Sequence, residues 1–145
     1  MRLKTAIAKF YYDITLNELR RMHHSLILPN ISYNSLLYLD LIDMTPDCTV
    51  SGLASVLHVS KSAVTMKVGE LLRQGLVTKE QSDADKRVFY LRLNPEAVKE
   101  YRSYDQSLAR ATATVEGKYK PKEIASFCAI LKDFCAAYAA EEENA

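Results

Sequence analysis

Six side chains of this 145-residue sequence are of the types that hold metals, attack carbonyls or switch with pH: Cys48, Cys128, Cys135, His23, His24 and His58. Their spacing assembles no such chemistry. The cysteines form no C-x-x-C pair and have no histidine at ligand spacing, so an odd count reads as free thiols. His23 and His24 are adjacent on a helical pattern and point in different directions, which is poor geometry for a shared metal, and one is expected partly buried and the other exposed. Cys128 and Cys135, seven apart on an apolar stripe, are expected as small buried fillers. Cys48 lies in the polar stretch Pro46-Asp47-Cys48-Thr49 and is expected to be the most exposed of the three. No G-x-S-x-G, H-E-x-x-H, phosphate-binding loop or dinucleotide fingerprint occurs, so an enzyme is not expected and no cofactor is implied.

The chemistry that remains is that of cations. Net charge is only +1, but its distribution is uneven. Residues 58–93 hold seven basic side chains (Lys61, Lys67, Arg73, Lys79, Lys86, Arg87 and Arg92) against four acidic ones, whereas residues 94–145 hold seven against nine. A polyanion is the natural partner of such a segment.

The elements that must position these cations can be read from periodicity. Val50 to Leu57 is a short helix capped by Thr49, with Leu53, Ala54 and Leu57 on one face. His58-Val59 follows as a turn, and His58 is expected at positive φ. Ser60 caps a second helix, from Lys61 to about Gln74, which buries Val64, Val68 and Leu71 and stops at Gly75. So tight a turn makes the pair a helix-turn-helix. Leu76 to Lys79 is strand-like, Gln81 to Asp85 is turn-rich, and Val88 to Leu93 alternates as a half-buried strand anchored by Phe89, Leu91 and Leu93. The segment reads as a winged helix.

With Val64, Val68 and Leu71 turned inward, Lys61, Ser62, Thr65 and Met66 face outward. They suit phosphates and base edges in a major groove. Lys67 lies at the margin, where its stem snorkels. An arginine at a hairpin tip suits a narrow minor groove, and Asp85, two residues earlier, can hold the Arg87 guanidinium or the turn backbone.

SKSAVTMKVGELLRQGLV resembles the recognition helix and following strand of the MarR family of bacterial transcription regulators. Asp85-Lys86-Arg87 stands where that family carries D-x-R, and Arg92-Leu93-Asn94 where it usually has R-L-T. The resemblance covers roughly 31–115. It departs at Met66, where many members have Arg, at Glu80, where a second basic residue is common, and at Ala97, where Gly is frequent. The site it implies is Ser60, Lys61, Ser62, Thr65, Met66 and Lys67 on the helix and Lys86 and Arg87 on the wing, with Asp85 as wing support and no metal.

The flanks complete the picture. Arg2 to about Leu28 is one long helix, with Leu3, Ile7, Phe10, Ile14, Leu19, Met22 and Leu26 as its apolar face, ended by Pro29-Asn30. A second begins at Ser32 and uses Tyr33, Leu36, Leu37, Leu41 and Met44. A short extra strand before the helix-turn-helix is allowed for. After the wing, Asn94-Pro95-Glu96 caps a helix carrying Val98, Tyr101, Leu108 and Val115, which ends near Gly117. Pro121 opens the last helix, striped by Ile124, Phe127, Cys128, Leu131, Phe134, Cys135 and Tyr138. Glu141 onward is a solvated tail.

The expected fold is mainly α with a small β-hairpin wing, a single domain over 1–145. Residues 31–94 form the winged lobe, and 1–30 with 95–140 form a helical dimerisation part, because stripes this extensive exceed what so small a lobe can cover. Tyr11, Tyr12, Tyr33, Tyr38, Tyr101 and Tyr104 are expected to pack with their hydroxyls at the surface, although the resemblance also allows a small-molecule effector there. No apolar run reaches membrane-spanning length and no signal-peptide pattern opens the chain, so a cytoplasmic protein is expected. The expected function is that of a homodimeric regulator of transcription, a repressor, on palindromic double-stranded DNA. Its rivals are a winged-helix protein-interaction module and an ArsR-type metal sensor, the latter disfavoured by the scattered Cys and His.

Overall fold

The structure, a computed structural model, describes residues 2–24, 31–97, 99 and 103–143. Eight elements follow in order: α1 (Leu3–His24), α2 (Tyr33–Met44), α3 (Val50–Leu57), α4 (Lys61–Arg73), β1 (Val77–Gln81), β2 (Phe89–Leu93), α5 (Ser103–Glu116) and α6 (Pro121–Glu143). This is the mainly helical fold with a hairpin wing that the periodicity implies. The chain divides into two compact units, 1–100 and 101–145.

The buried core of the first unit lies wholly between α2 and the end of β2. Leu36, Leu39 and Ile42 of α2 meet Leu53 and Ala54 of α3, Val64, Val68 and Leu71 of α4, and Leu76, Val77, Leu91 and Leu93 at the base of the hairpin. Removing so many apolar groups from water is the main stabilising term of the lobe. Three helices start as the sequence implies. Ser32, Thr49 and Ser60 each accept, through the side-chain hydroxyl, a backbone N–H three residues on, at 3.1, 3.0 and 3.2 Å.

The ends of α3 and α4 share one device. At α4, Leu76 N–H donates to Leu71 O and Gly75 N–H to Leu72 O, with Gly75 at φ 71. At α3, Val59 N–H donates to Ala54 O and His58 N–H to Ser55 O, with His58 at φ 53. Both are Schellman closures, and His58 occupies the left-handed position usually given to glycine. The positive φ expected of His58 is present.

β1 and β2 pair antiparallel, with Val77 opposite Leu93 and Gln81 opposite Phe89. The turn is longer and later than expected. Gln81 belongs to β1, the connection runs from Ser82 to Val88, and Phe89 is 43% exposed rather than an anchor. The hairpin projects beyond the core at that end, so only Leu91 and Leu93 reach it. Among the described residues no extra strand precedes α3, and the sheet has two strands. One backbone bond stands there instead, from Leu91 N–H to Cys48 O at 2.7 Å.

Three other expectations are corrected. α2 buries Ser35, Leu36, Leu39 and Ile42, while Tyr33, Leu37 and Met44 are exposed. Its sequence is apolar nearly all round, so two faces fit a helical period and the chain itself covers one. Cys48 is buried at 1% exposure because the turn carrying it folds under β2, whereas Cys128 and Cys135 are exposed in the single chain. Asn94 makes a turn rather than a helix cap. Its side chain accepts Glu96 N–H at 3.2 Å and donates to Gly75 O at 2.8 Å, and the described helix starts at Ser103.

Among the described side chains of α1 none is buried. Ile7, Ile14 and Met22 are half-buried, and Leu3, Phe10, Tyr11, Tyr12 and Leu19 are exposed. Tyr33 donates to the Glu18 carboxylate at 3.3 Å, and Tyr38 is half-buried. Leu26, Pro29, Asn30, Val98, Tyr101 and the side chains of His24 and Tyr104 lie outside the described residues; His23 is exposed. In the second unit, Leu108 and Val115 of α5 and Phe127, Ile130 and Tyr138 of α6 are exposed, with Ile124, Leu131 and Phe134 half-buried. Phe134 and Tyr138 stack at 6.1 Å. Among the described residues no helix is long and apolar enough to cross a membrane.

Candidate nucleic-acid interface

The first turns of α4 carry most of the expected site. Lys61, Ser62, Thr65 and Met66 are all exposed, and Met66 stands 77% in solvent. Val64, Val68 and Leu71, all buried, fix this orientation. Ser60 is the cap, and its hydroxyl also meets that of Ser62 at 3.0 Å. Lys67 lies lower on the helix, with its side chain 16% exposed and its ammonium on Glu70 at 3.0 Å. The stem packs and the charge is already partnered.

The wing is more elaborate than its sequence suggests. Asp85 accepts three hydrogen bonds from Arg87: Nε to Oδ1 at 3.1 Å, Nη2 to Oδ2 at 3.0 Å and the backbone N–H to Oδ1 at 3.0 Å. Asp85 thus orients the guanidinium and the turn together. The Arg87 side chain is nevertheless 91% exposed. The guanidinium holds the Asp85 carboxyl below the usual carboxylate range, and the carboxylate raises the arginine in turn. Lys86 meets Asp83 at 2.9 Å.

Behind these groups the loop is tied to itself. Ser82 N–H donates to Val88 O, Val88 N–H to Asp85 O, Asp85 N–H to the buried Ser82 hydroxyl, and the Gln81 amide to Lys86 O at 2.6 Å. Arg87 therefore sits on a closed frame rather than a free loop.

Sequence reasoning missed three features. Lys79, opposite Leu91, lines a cleft of about 350 Å³ between the start of α3 and the wing, together with Thr49, Ser51, Arg87 and Phe89. Arg73 lies further along α4 on the same outward stripe as Ser62 and Met66, beside a second groove of about 390 Å³ that Asn34 and Tyr38 of α2 also line. Arg92 bridges Asp47 at 3.1 Å and Glu80 at 3.2 Å, with its guanidinium over the Tyr90 ring. The spacing 62, 66, 69, 73 was the available signal for Arg73; pairing across the chain left none for Arg92. Among the described residues no cluster of three or more His, Cys, Asp or Glu is placed to hold a metal.

Residues 30–88, which contain α2, the helix-turn-helix and the wing as far as Val88, match the sequence model of the MarR family. Over these residues the chain is similar to that family. The family is one of transcription regulators, not of enzymes. Solved structures agree on the fold over nearly the whole chain. FabT of Streptococcus pneumoniae, in a crystal structure in complex with DNA, is 21% identical with a TM-score of 0.71 and 96% of each chain covered. A MarR-like transcriptional regulator of Thermotoga maritima is 16% identical, with a TM-score of 0.63 and 96% and 98% covered. The adhesin competence repressor AdcR of Streptococcus pyogenes is 21% identical, with a TM-score of 0.55 and 97% and 98% covered. No curated protein matches the sequence. The lobe is thus a winged helix-turn-helix, with α4 as its second helix and the β1–β2 hairpin as its wing.

Proposed function

We propose that the chain is a sequence-specific double-stranded DNA-binding regulator of transcription, a repressor, acting as a homodimer on a palindromic operator. Ser60, Lys61, Ser62, Thr65 and Met66 meet the major groove, with Lys67 at the margin, and Lys86 and Arg87 meet the flanking backbone and minor groove. The observation that carries this reading is the Arg87 guanidinium, clamped on Asp85 yet 91% exposed at the tip of a self-bonded wing, in the same lobe as the bare first turns of α4. A solvent-facing cation held at a fixed angle suits a phosphate or a narrow groove, and costs little ordering on binding.

The dimer draws support from the exposed Phe10 of α1 and Phe127 of α6, which the single chain leaves in water. The match of residues 30–88 to the MarR family model and the DNA in the FabT crystal support the choice of partner. The word repressor in the AdcR name supports the sign. Any small-molecule effector would act by favouring one spacing of the two lobes over another.

The test is titration of a duplex selected by the protein from a random pool, at two salt concentrations, with the oligomeric state measured by light scattering. Binding of a dimer that weakens steeply with salt is expected. Absence of binding to any duplex at low salt hands the chain to the interaction-module alternative, and a monomer at micromolar concentration removes the palindromic mode.

A further inference from the structure

A helix interior is a poor place for glycine, which has more backbone freedom to lose than alanine. Two glycines of the winged lobe have local reasons. Gly75 stands at φ 71 in the cap of α4, and a Cβ at Gly52 would crowd the capping Thr49 hydroxyl at 3.2 Å. Gly69, inside α4, has neither. Its φ is not positive, and a Cβ built on it would meet only the Arg73 guanidinium nitrogen, at an ordinary 3.8 Å. No residue of α2, α3 or the wing comes near enough to require a bare position.

What Gly69 does have is a place on the outward face. Helical spacing sets it in one stripe with Ser62, Met66 and Arg73, opposite Val64, Val68 and Leu71. Met66 is 77% exposed on one side of it, and Arg73 is exposed on the other, with no hydrogen bond or ion pair among the described residues. The stripe is therefore a notch between an apolar arm and an unpaired cation. A helix with its side chains is about 10–12 Å across and a B-form major groove about 12 Å wide, so side chains on the inserted face decide how deep the helix sits.

We infer that Gly69 is an affinity-determining position, the point at which duplex DNA closes on α4. The bare backbone admits the deoxyribose-phosphate wall of the major groove, Met66 packs on sugar or thymine methyl, and Arg73 neutralises the adjoining phosphate. This rests on the DNA-binding reading above and adds to it a prediction of opposite signs, because a glycine that weakens its helix but makes room for DNA should, on substitution, fold better and bind worse.

The experiment compares wild type, Gly69→Ala, Gly69→Leu and Arg73→Gln, each by thermal unfolding and by anisotropy titration on the selected duplex and on random duplex across a salt series. Gly69→Ala should melt roughly 2–4 °C higher and bind the selected duplex about tenfold more weakly. Gly69→Leu, still helical, should lose about a hundredfold. Arg73→Gln should lower the salt slope by about one per subunit. Unchanged affinity in both Gly69 variants, beside a wild type that binds, overturns this inference alone. A lowered melting temperature for Gly69→Ala also overturns it, since the glycine would then serve the fold. A wild type that binds no duplex at low salt overturns the DNA-binding reading and this inference with it.

Discussion

Asp47 and Arg92, on the turn before α3 and on the second wing strand, meet at 3.1 Å, with Asp47 held at φ 50. The contact has two opposed consequences for one side chain. Aspartate tolerates the left-handed region better than most residues but still strains it, and it returns a partly exposed ion pair of small value.

Asp47→Gly is accordingly expected to be nearly neutral, because relief of the backbone offsets loss of the Arg92 contact. Asp47→Ala loses the pair and keeps the strain, and should cost about 1–2 kcal/mol. Chemical denaturation of the two variants checks this, and equal stabilities would show that the backbone angle contributes nothing.

His58 closes α3 at φ 53 with its N–H on Ser55 O. His58→Gly should be tolerated or slightly stabilising, whereas the β-branched His58→Val should lose roughly 1–2 kcal/mol. Midpoints of urea unfolding measured at constant m-value distinguish them. A valine variant as stable as wild type would mean the turn can rearrange.

At the wing tip, Arg87→Ala should leave the melting temperature within a degree or so, an exposed pair being worth little. It should still reduce the salt slope of DNA binding by about one unit per subunit. Thr65→Ala should instead cost affinity for the selected duplex more than for random duplex. The clamp is also a pH device of known sign. Hydrogen bonds from the Arg87 side chain, and then from its backbone N–H, depress the Asp85 carboxyl. The ordered tip is therefore present above the unfolded aspartate pKa and lost as pH falls through the lower folded value. A carbon-detected titration should find the Asp85 midpoint lower in wild type than in Arg87→Ala.

Cys48 is buried and its thiol is pushed up by that burial, partly countered by the Arg92 charge. A raised thiol pKa stabilises the fold fully below the unfolded thiol value, and the contribution is lost as pH rises above it towards the folded value. Stability should thus decline on the alkaline side in wild type and less so in Cys48→Ala, after allowance for the small cavity. In the native protein an alkylating reagent should modify Cys48 only at the rate of unfolding, and rapid modification would contradict its burial.

The helix-turn-helix was legible because each boundary carries a local chemical mark: Thr49, Ser60 and Gly75 act within three residues of themselves. Arg87 and Asp85 were legible for the same reason, being two residues apart. What escaped depends on packing between distant segments. α2 offers two apolar faces, and only its neighbours decide that Leu39 rather than Leu37 goes inward. Cys48 looks like a loop residue until β2 folds over it. Arg92 reads as one more cation of residues 58–93 until Asp47 and Glu80 engage it, after which its charge is largely spoken for.

The bond from Leu91 N–H to Cys48 O, beside the Arg92–Asp47 pair, pins the hairpin at one place along β2. Phe89 lies two residues further out, roughly 7 Å of strand, and the loop bearing Arg87 extends beyond it. Mechanically the wing is a cantilever with its fulcrum at Leu91. A small angular deflection there moves the self-bonded tip as one piece, so Arg87 travels without losing its orientation on Asp85. If the lobe binds duplex as proposed, an arm of this kind suits grooves of differing width while the helical base stays in register.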